Sequence, residues 1–158
     1  MLKYYWQGGR DLFEGYDICA LEDETSEPWV EHAVLHLDLG NDNYALEGNL
    51  EKMLNNWLAE REAIYGCVGD GDENLSFAGR FLRLIKSAER QSGRRVVALV
   101  DEYDKPLLDV IDNDALIEHN RVILKGVYGV LKSADAHLRF IFITGITRFF
   151  ESQHLQRR

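Results

Sequence analysis

Basic residues are scarce in this chain: 18 Lys and Arg stand against 27 Asp and Glu in 158 residues, a formal net charge of −9. A sequence-independent grip on nucleic acid needs clustered cations. The only basic knots, Arg94-Arg95 and Arg157-Arg158, are too short to supply one. Long apolar runs are also missing. No stretch reaches the roughly 20 residues that a helix needs to cross a bilayer, and the opening MLKYYWQGGR is not a signal peptide. A membrane is therefore not an expected partner, and the cytoplasm is the expected location. Cysteine is nearly absent. Cys19 and Cys67 show no metal or redox spacing, which points to two reduced thiols. There is no internal repeat, low-complexity tract or linker. What remains, 46% hydrophobic and 28% charged, describes an ordinary globular domain long enough to bury a core.

The order of elements is informative. Residues 32–39 (HAVLHLDL) read as a first strand. A helical pattern follows, with Leu50, Met53, Leu54, Trp57, Leu58 and Arg61 on one face and Gly66 as its stop. Residues 67–74 form a loop rich in Gly and Asp. A second helix is expected over 76–91, its stripe formed by Ala78, Phe81, Leu82, Ile85 and Ala88, with Gly93 ending it. Residues 96–102 are the second strand, 114–133 the third helix and 138–145 (LRFIFITG) the third strand. Strands alternating with helices of this length imply right-handed crossovers and a parallel sheet. The expected fold class is α/β, a parallel sheet flanked by helices, with the strands in the spatial order first, second, third. The segment LKYYWQGGRDLFEGYDI resembles the last turns of a helix and a loop, and both ends of the chain look cut.

The densest signal is VVALVDEYDKP at 96–106. Five apolar, mostly β-branched residues run into two adjacent carboxylates, Asp101 and Glu102. Such a run suits a strand buried on both faces, and its acids then lie at the carboxyl end, where open α/β sheets place their ligands. This is the pattern of the second signature of a P-loop ATPase, the strand whose Asp holds magnesium. The first signature, G-x-x-x-x-G-K-[ST], matches nowhere in the chain. Gly8-Gly9-Arg10 is no substitute, since it lacks the Lys and the hydroxyl.

Other polar residues carry less. Pro106 is expected to restrict Lys105 to extended geometry, and Asp104 reads first as a turn former. Asp70, Asp72 and Asn74 imitate the start of a calcium loop, but Leu75 stands where its Gly belongs and Phe81 where its Glu belongs. Asp109, Asp112 and Asp114 read as a turn and helix N-cap group. His32, His36, His119, His137 and His154 have no ligand spacing. His36 and Asp38 share a face of the first strand by alternation, where a hydrogen-bonded histidine is expected. A metal-nuclease reading fails locally, because Tyr103 precedes Asp104-Lys105 where an acid would be needed.

Together, VVALVDEYDKPLLD, the helix ending LKGVYGVLKSADAHLRF, FIFITGITRF, VLHLDL and LFEGYDI resemble the bacterial AAA-ATPase-like family of P-loop proteins. The likeness covers roughly residues 1–150. The tail, 151–158, is polar and departs from it. Members of that family typically join this domain to a C-terminal PD-(D/E)XK nuclease-like domain and carry a phosphate loop shortly before the position of Met1. The resemblance therefore implies an incomplete three-layer P-loop fold, read as an internal fragment or truncated copy. It implies ATP and Mg²⁺ as cofactors and ATP hydrolysis as the activity of the intact protein. Asp101 would hold the Mg²⁺ shell through water, and Glu102 would orient and polarise the attacking water. Thr144 would contact the γ-phosphate or that water, a strand-end Thr placed for its β propensity being the alternative. Arg148 reads first as a plain surface Arg, with a charge-stabilising contact to phosphate as the alternative, and Asp104 first as a turn former, with a contact to metal or nucleotide as the alternative. The competing reading is a scaffold that has lost catalysis and serves as an interaction module. An unpaired edge on the third strand would favour self-association.

Overall fold

The computed structural model describes residues 1–67 and 75–146. Three strands, β1 (Val34–Asp38), β2 (Val96–Asp101) and β3 (Leu138–Ile143), form one parallel sheet in the order β1-β2-β3. The order is the expected one. β2 is central because it is the most apolar, and five of its six residues are fully buried. In register, Val34 faces Val97 and Asp38 faces Asp101. Between β2 and β3, Val96 faces Leu138 but Val97 faces Phe140, so Arg139 is an extra residue, a bulge. The outer edge of β3 pairs with no strand among the described residues.

Period-two alternation gives the sheet two unlike faces. On one face Leu35, Leu37, Val96, Ala98 and Val100 join a single buried cluster with the helices α3 (Asn49–Ile64), α4 (Phe77–Ser92) and α6 (Asp114–Ser133). Leu54, Leu58, Phe81, Ile85, Leu124 and Val127 are the helical part of it. Each fully buried Leu or Ile here contributes about 1.5–3 kcal/mol relative to exposure. The other face is covered more thinly. Val97 and Leu99 are buried but stand outside that cluster. Trp6, from the short α1 (Leu2–Trp6), packs its ring 5.3 Å from that of Phe140, and Phe142 remains 44% exposed.

Local chemistry explains the helix ends. The Ser76 hydroxyl accepts from Gly79 N and caps α4 at its start; Gly93, at φ 68°, ends it. Gly66, at φ 64°, follows α3 in the same left-handed conformation. A buried ion pair joins α3 to α4. Arg80 donates to both oxygens of Glu62 (3.0 and 2.6 Å) and Arg83 to one (3.2 Å). Arg80 first, then Arg83, hold the Glu62 carboxyl below its usual range against the opposing effect of burial.

Three expectations need correction. Lys105 is not extended: it opens a one-turn helix, α5 (Lys105–Leu108). Proline is tolerated there because the first turn of a helix has no partner for that N–H anyway. The carbonyl of Asp104 instead receives the N–H groups of Leu107 and Leu108. The cap of α6 is Asn113, whose side chain accepts from Leu116 N, and not one of the nearby aspartates. Asp109 holds a loop instead, accepting from Tyr44 N (3.1 Å) and Lys105 Nζ (2.7 Å). Finally, the opening segment is more than a helix end and a loop. It forms α1, a 3₁₀ turn at Arg10–Phe13 and α2 (Asp17–Asp23).

Candidate functional site

The carboxyl end of β2 organises the site. Parallel register sets Asp38 beside Asp101, and Thr144 follows the end of β3. The backbone of Thr144 continues the ladder, donating to Val100 O (2.8 Å) and accepting from Tyr103 N (2.9 Å). That anchoring brings its hydroxyl to Asp101, where Oγ1 donates to Oδ1 at 2.6 Å. The second oxygen, Oδ2, lies 2.8 Å from Nε2 of His36 on β1. The alternation of β1 and β2 sets Asp38, His36 and Asp101 on the face away from the three long helices. The Thr144 hydroxyl, and after it the His36 contact, hold the Asp101 carboxyl below the usual carboxylate range; partial burial opposes them.

Glu102 sits at φ 55°, a left-handed conformation in a residue that is not glycine. Such backbone costs about 1–3 kcal/mol and concentrates at functional sites. It ends the strand after Asp101 and starts the turn in which Lys105 N donates to Glu102 O. Gly40 makes room for the arrangement. A Cβ there would stand 3.2 Å from Cγ of Glu102 and 3.1 Å from Oδ1 of Asp38. Gly145 does the same on the far side, where a Cβ would meet the Tyr103 ring at 2.4 Å and Asp104 Oδ1 at 2.6 Å. The turn after β2 and the end of β3 are therefore packed backbone against side chain.

Of the residues singled out by sequence, Asp101, Glu102 and Thr144 come together here. Asp104 lies close by but is fully buried beneath Tyr103 and Gly145. Arg148 lies outside the described residues, as do Thr147, His154 and the acids of the 67–74 loop. Two neighbours, His36 and Asp38, were noted by sequence only as sharing a face of the first strand and were given no site role. Alternation placed them on one face; their register against Asp101 was not legible.

The donor set suits a hard cation that keeps much of its water. Mg²⁺ is usually held by one or two carboxylates and retains several waters. Asp101 is 44% exposed at its side chain. Its oxygens each take one contact, as do those of Asp38, from Gly40 N and Asn41 Nδ2. Each carboxylate offers about four acceptor positions, so both keep capacity. Among the described residues no three His, Cys, Asp or Glu side chains gather to enclose a metal by themselves.

An open parallel α/β sheet with carboxylates at the ends of two adjacent strands is a ligand-binding architecture of the kind found in nucleotide-binding folds. The chain belongs to the family described as "Predicted AAA-ATPase", whose model matches residues 1–153. It is 33% identical over 152 residues to an "Uncharacterized protein in vnfD 5'region" of Azotobacter chroococcum mcd 1. That match takes in 94% of this chain and 27% of the relative, so the chain spans about a quarter of that protein's length. No solved structure matches the chain.

Proposed function

We propose that this chain is the part of an AAA-type ATPase that presents the magnesium and water-activating acids to ATP. One observation carries the reading: the Thr144 hydroxyl and His36 fix Asp101 at the carboxyl end of the central strand, with Glu102 next to it in strained backbone. Asp101, oriented by two hydrogen bonds and partly exposed, would hold Mg²⁺ through water. The ion would supply charge neutralisation at the transferring phosphate. Glu102 would orient and polarise the attacking water, and Thr144 would position Asp101 and present a hydroxyl to the γ-phosphate side. Family membership supports this reading.

The phosphates need a separate cradle of backbone N–H groups and a Lys, and no G-x-x-x-x-G-K-[ST] run occurs in the 158 residues. By itself the chain is therefore expected to bind Mg-ATP weakly. The test belongs in a protein that joins this chain to a phosphate loop. There Asp101→Asn should weaken Mg²⁺-dependent ATP binding. Glu102→Gln should leave binding nearly intact and slow single-turnover hydrolysis by about 10²–10⁴-fold. If neither variant changes affinity or rate, the site is a strand ending within an interaction scaffold.

A further inference from the structure

A cavity of about 530 Å³ opens at the other end of the sheet, and nothing in the ATPase reading uses it. Arg94 and Arg95 directly precede β2, Arg139 stands at the start of β3 and His32 precedes β1, so all line it from the amino ends of the strands. Six residues of strand at about 3.3 Å each put it roughly 20 Å from Asp101. We propose that this cavity is a binding site for a nucleotide-class ligand, one that joins a phosphate to a flat ring.

Three observations converge. The first is charge. Three guanidinium groups line it against two carboxylates, Glu22 and Glu27, in a chain whose net charge is −9. Arg94 is paired with Glu27 (3.2 Å). Among the described residues no carboxylate lies within 4.0 Å of the Arg95 or Arg139 guanidinium. Guanidinium forks match phosphate oxygens two at a time. The second is backbone. Arg139 is the bulged residue of β3. A bulge re-aims a side chain, and this one places the Arg139 guanidinium 6.0 Å from the Trp6 ring centre. The third is the rest of the lining, which includes the rings of Tyr5, Trp6 and Trp29. Tyr5 lies 5.1 Å from Trp6 and 5.8 Å from Trp29, ring centre to ring centre, in edge-on contacts. Aromatic side chains in a binding groove stack bases without regard to sequence. The indole Nε1 of Trp6 is buried with no hydrogen-bond partner among the described residues. The tyrosine hydroxyl is already committed to Glu22 (2.8 Å), which fixes the wall.

The probes are AMP and UMP, with EDTA present so that no divalent cation takes part, titrated calorimetrically into the 158-residue chain. Saturable binding is expected for both. Arg139→Gln should weaken it about tenfold or more, and Arg95→Gln should act in the same direction. Both side chains are exposed, so these variants should melt like the parent. Inorganic phosphate and the free nucleosides should each bind about tenfold weaker than the nucleotides or worse. Asp101→Asn, at the far end of the strand, should leave AMP affinity unchanged, which separates this site from the ATPase reading. No heat of binding up to roughly 10 mM ligand would overturn the proposal. So would phosphate alone binding as tightly as AMP, affinity untouched by either arginine substitution, or affinity lost in Asp101→Asn.

Discussion

Replacing Thr144 by Val removes one hydroxyl and nearly preserves the shape of the side chain. The lost bond is the 2.6 Å donation to Asp101 Oδ1. A fully buried hydrogen bond to a charged acceptor contributes about 1.5–3 kcal/mol. The Asp101 side chain is 44% exposed, and screening by water reduces the figure to about 0.5–1.5 kcal/mol. For a chain of this length that is a fall in Tm of about 1–6 °C. The pH dependence gives the sharper test. The folded-state pKa of Asp101 is lowered, first by Thr144 and then by His36. A lowered carboxyl stabilises the fold above its unfolded value, about pH 4, and that contribution is lost as pH falls through the lower folded value. The gap between parent and Thr144→Val should therefore be widest near pH 7 and close below about pH 4. Urea midpoints across about pH 2–7 measure it. Carbon-detected NMR should show Asp101 titrating at higher pH in the variant, while Thr144→Ser, which keeps the hydroxyl, behaves like the parent. A gap that is constant with pH, or an Asp101 titration unmoved by Thr144→Val, would refute the reasoning.

Two further outcomes follow from the same corner of the molecule. Gly145→Ala must fit a methyl 2.4 Å from the Tyr103 ring and 2.6 Å from Asp104, both held in packed surroundings. It should cost about 1–3 kcal/mol in urea unfolding and disturb the Asp101 NMR signal. Glu102→Gly should be neutral or stabilising by up to about 1 kcal/mol, because relief of the left-handed strain exceeds the entropy glycine adds to the unfolded chain. Glu102→Ala, which keeps the strain, should give no such gain in the same melts.

The periodicities were enough for the frame of this protein. Leu50, Leu54 and Leu58 recur at helical spacing, and α3 formed on them. The same rule held for α6, whose bounds, Asp114–Ser133, match the expected 114–133. Gly66 and Gly93 marked helix ends because only glycine adopts positive φ freely. The β-branched run before Asp101 announced a central strand because a strand covered on both sides has no polar face to show. All of these signals are local, and a local signal survives in a string of letters.

What the letters did not carry is which residues meet. The Glu62–Arg80–Arg83 ion pair joins residues 18 to 21 positions apart. The His36 contact to Asp101 spans 65 positions and that of Thr144 spans 43. Helix packing decides the first; strand register decides the two contacts to Asp101, and a one-residue slip of a strand would carry its side chains to the other face. Lys105 shows the converse. Its neighbour Pro106 argued for extended backbone, yet the tertiary setting after β2 made a helical turn there. The acid pair was therefore determined by the sequence, since two carboxylates ending an apolar strand are contiguous in the chain. The Thr144 hydroxyl, the His36 imidazole and Asp38 of β1 that surround it were decided by the sheet, because only its register brings distant backbone segments within hydrogen-bond reach.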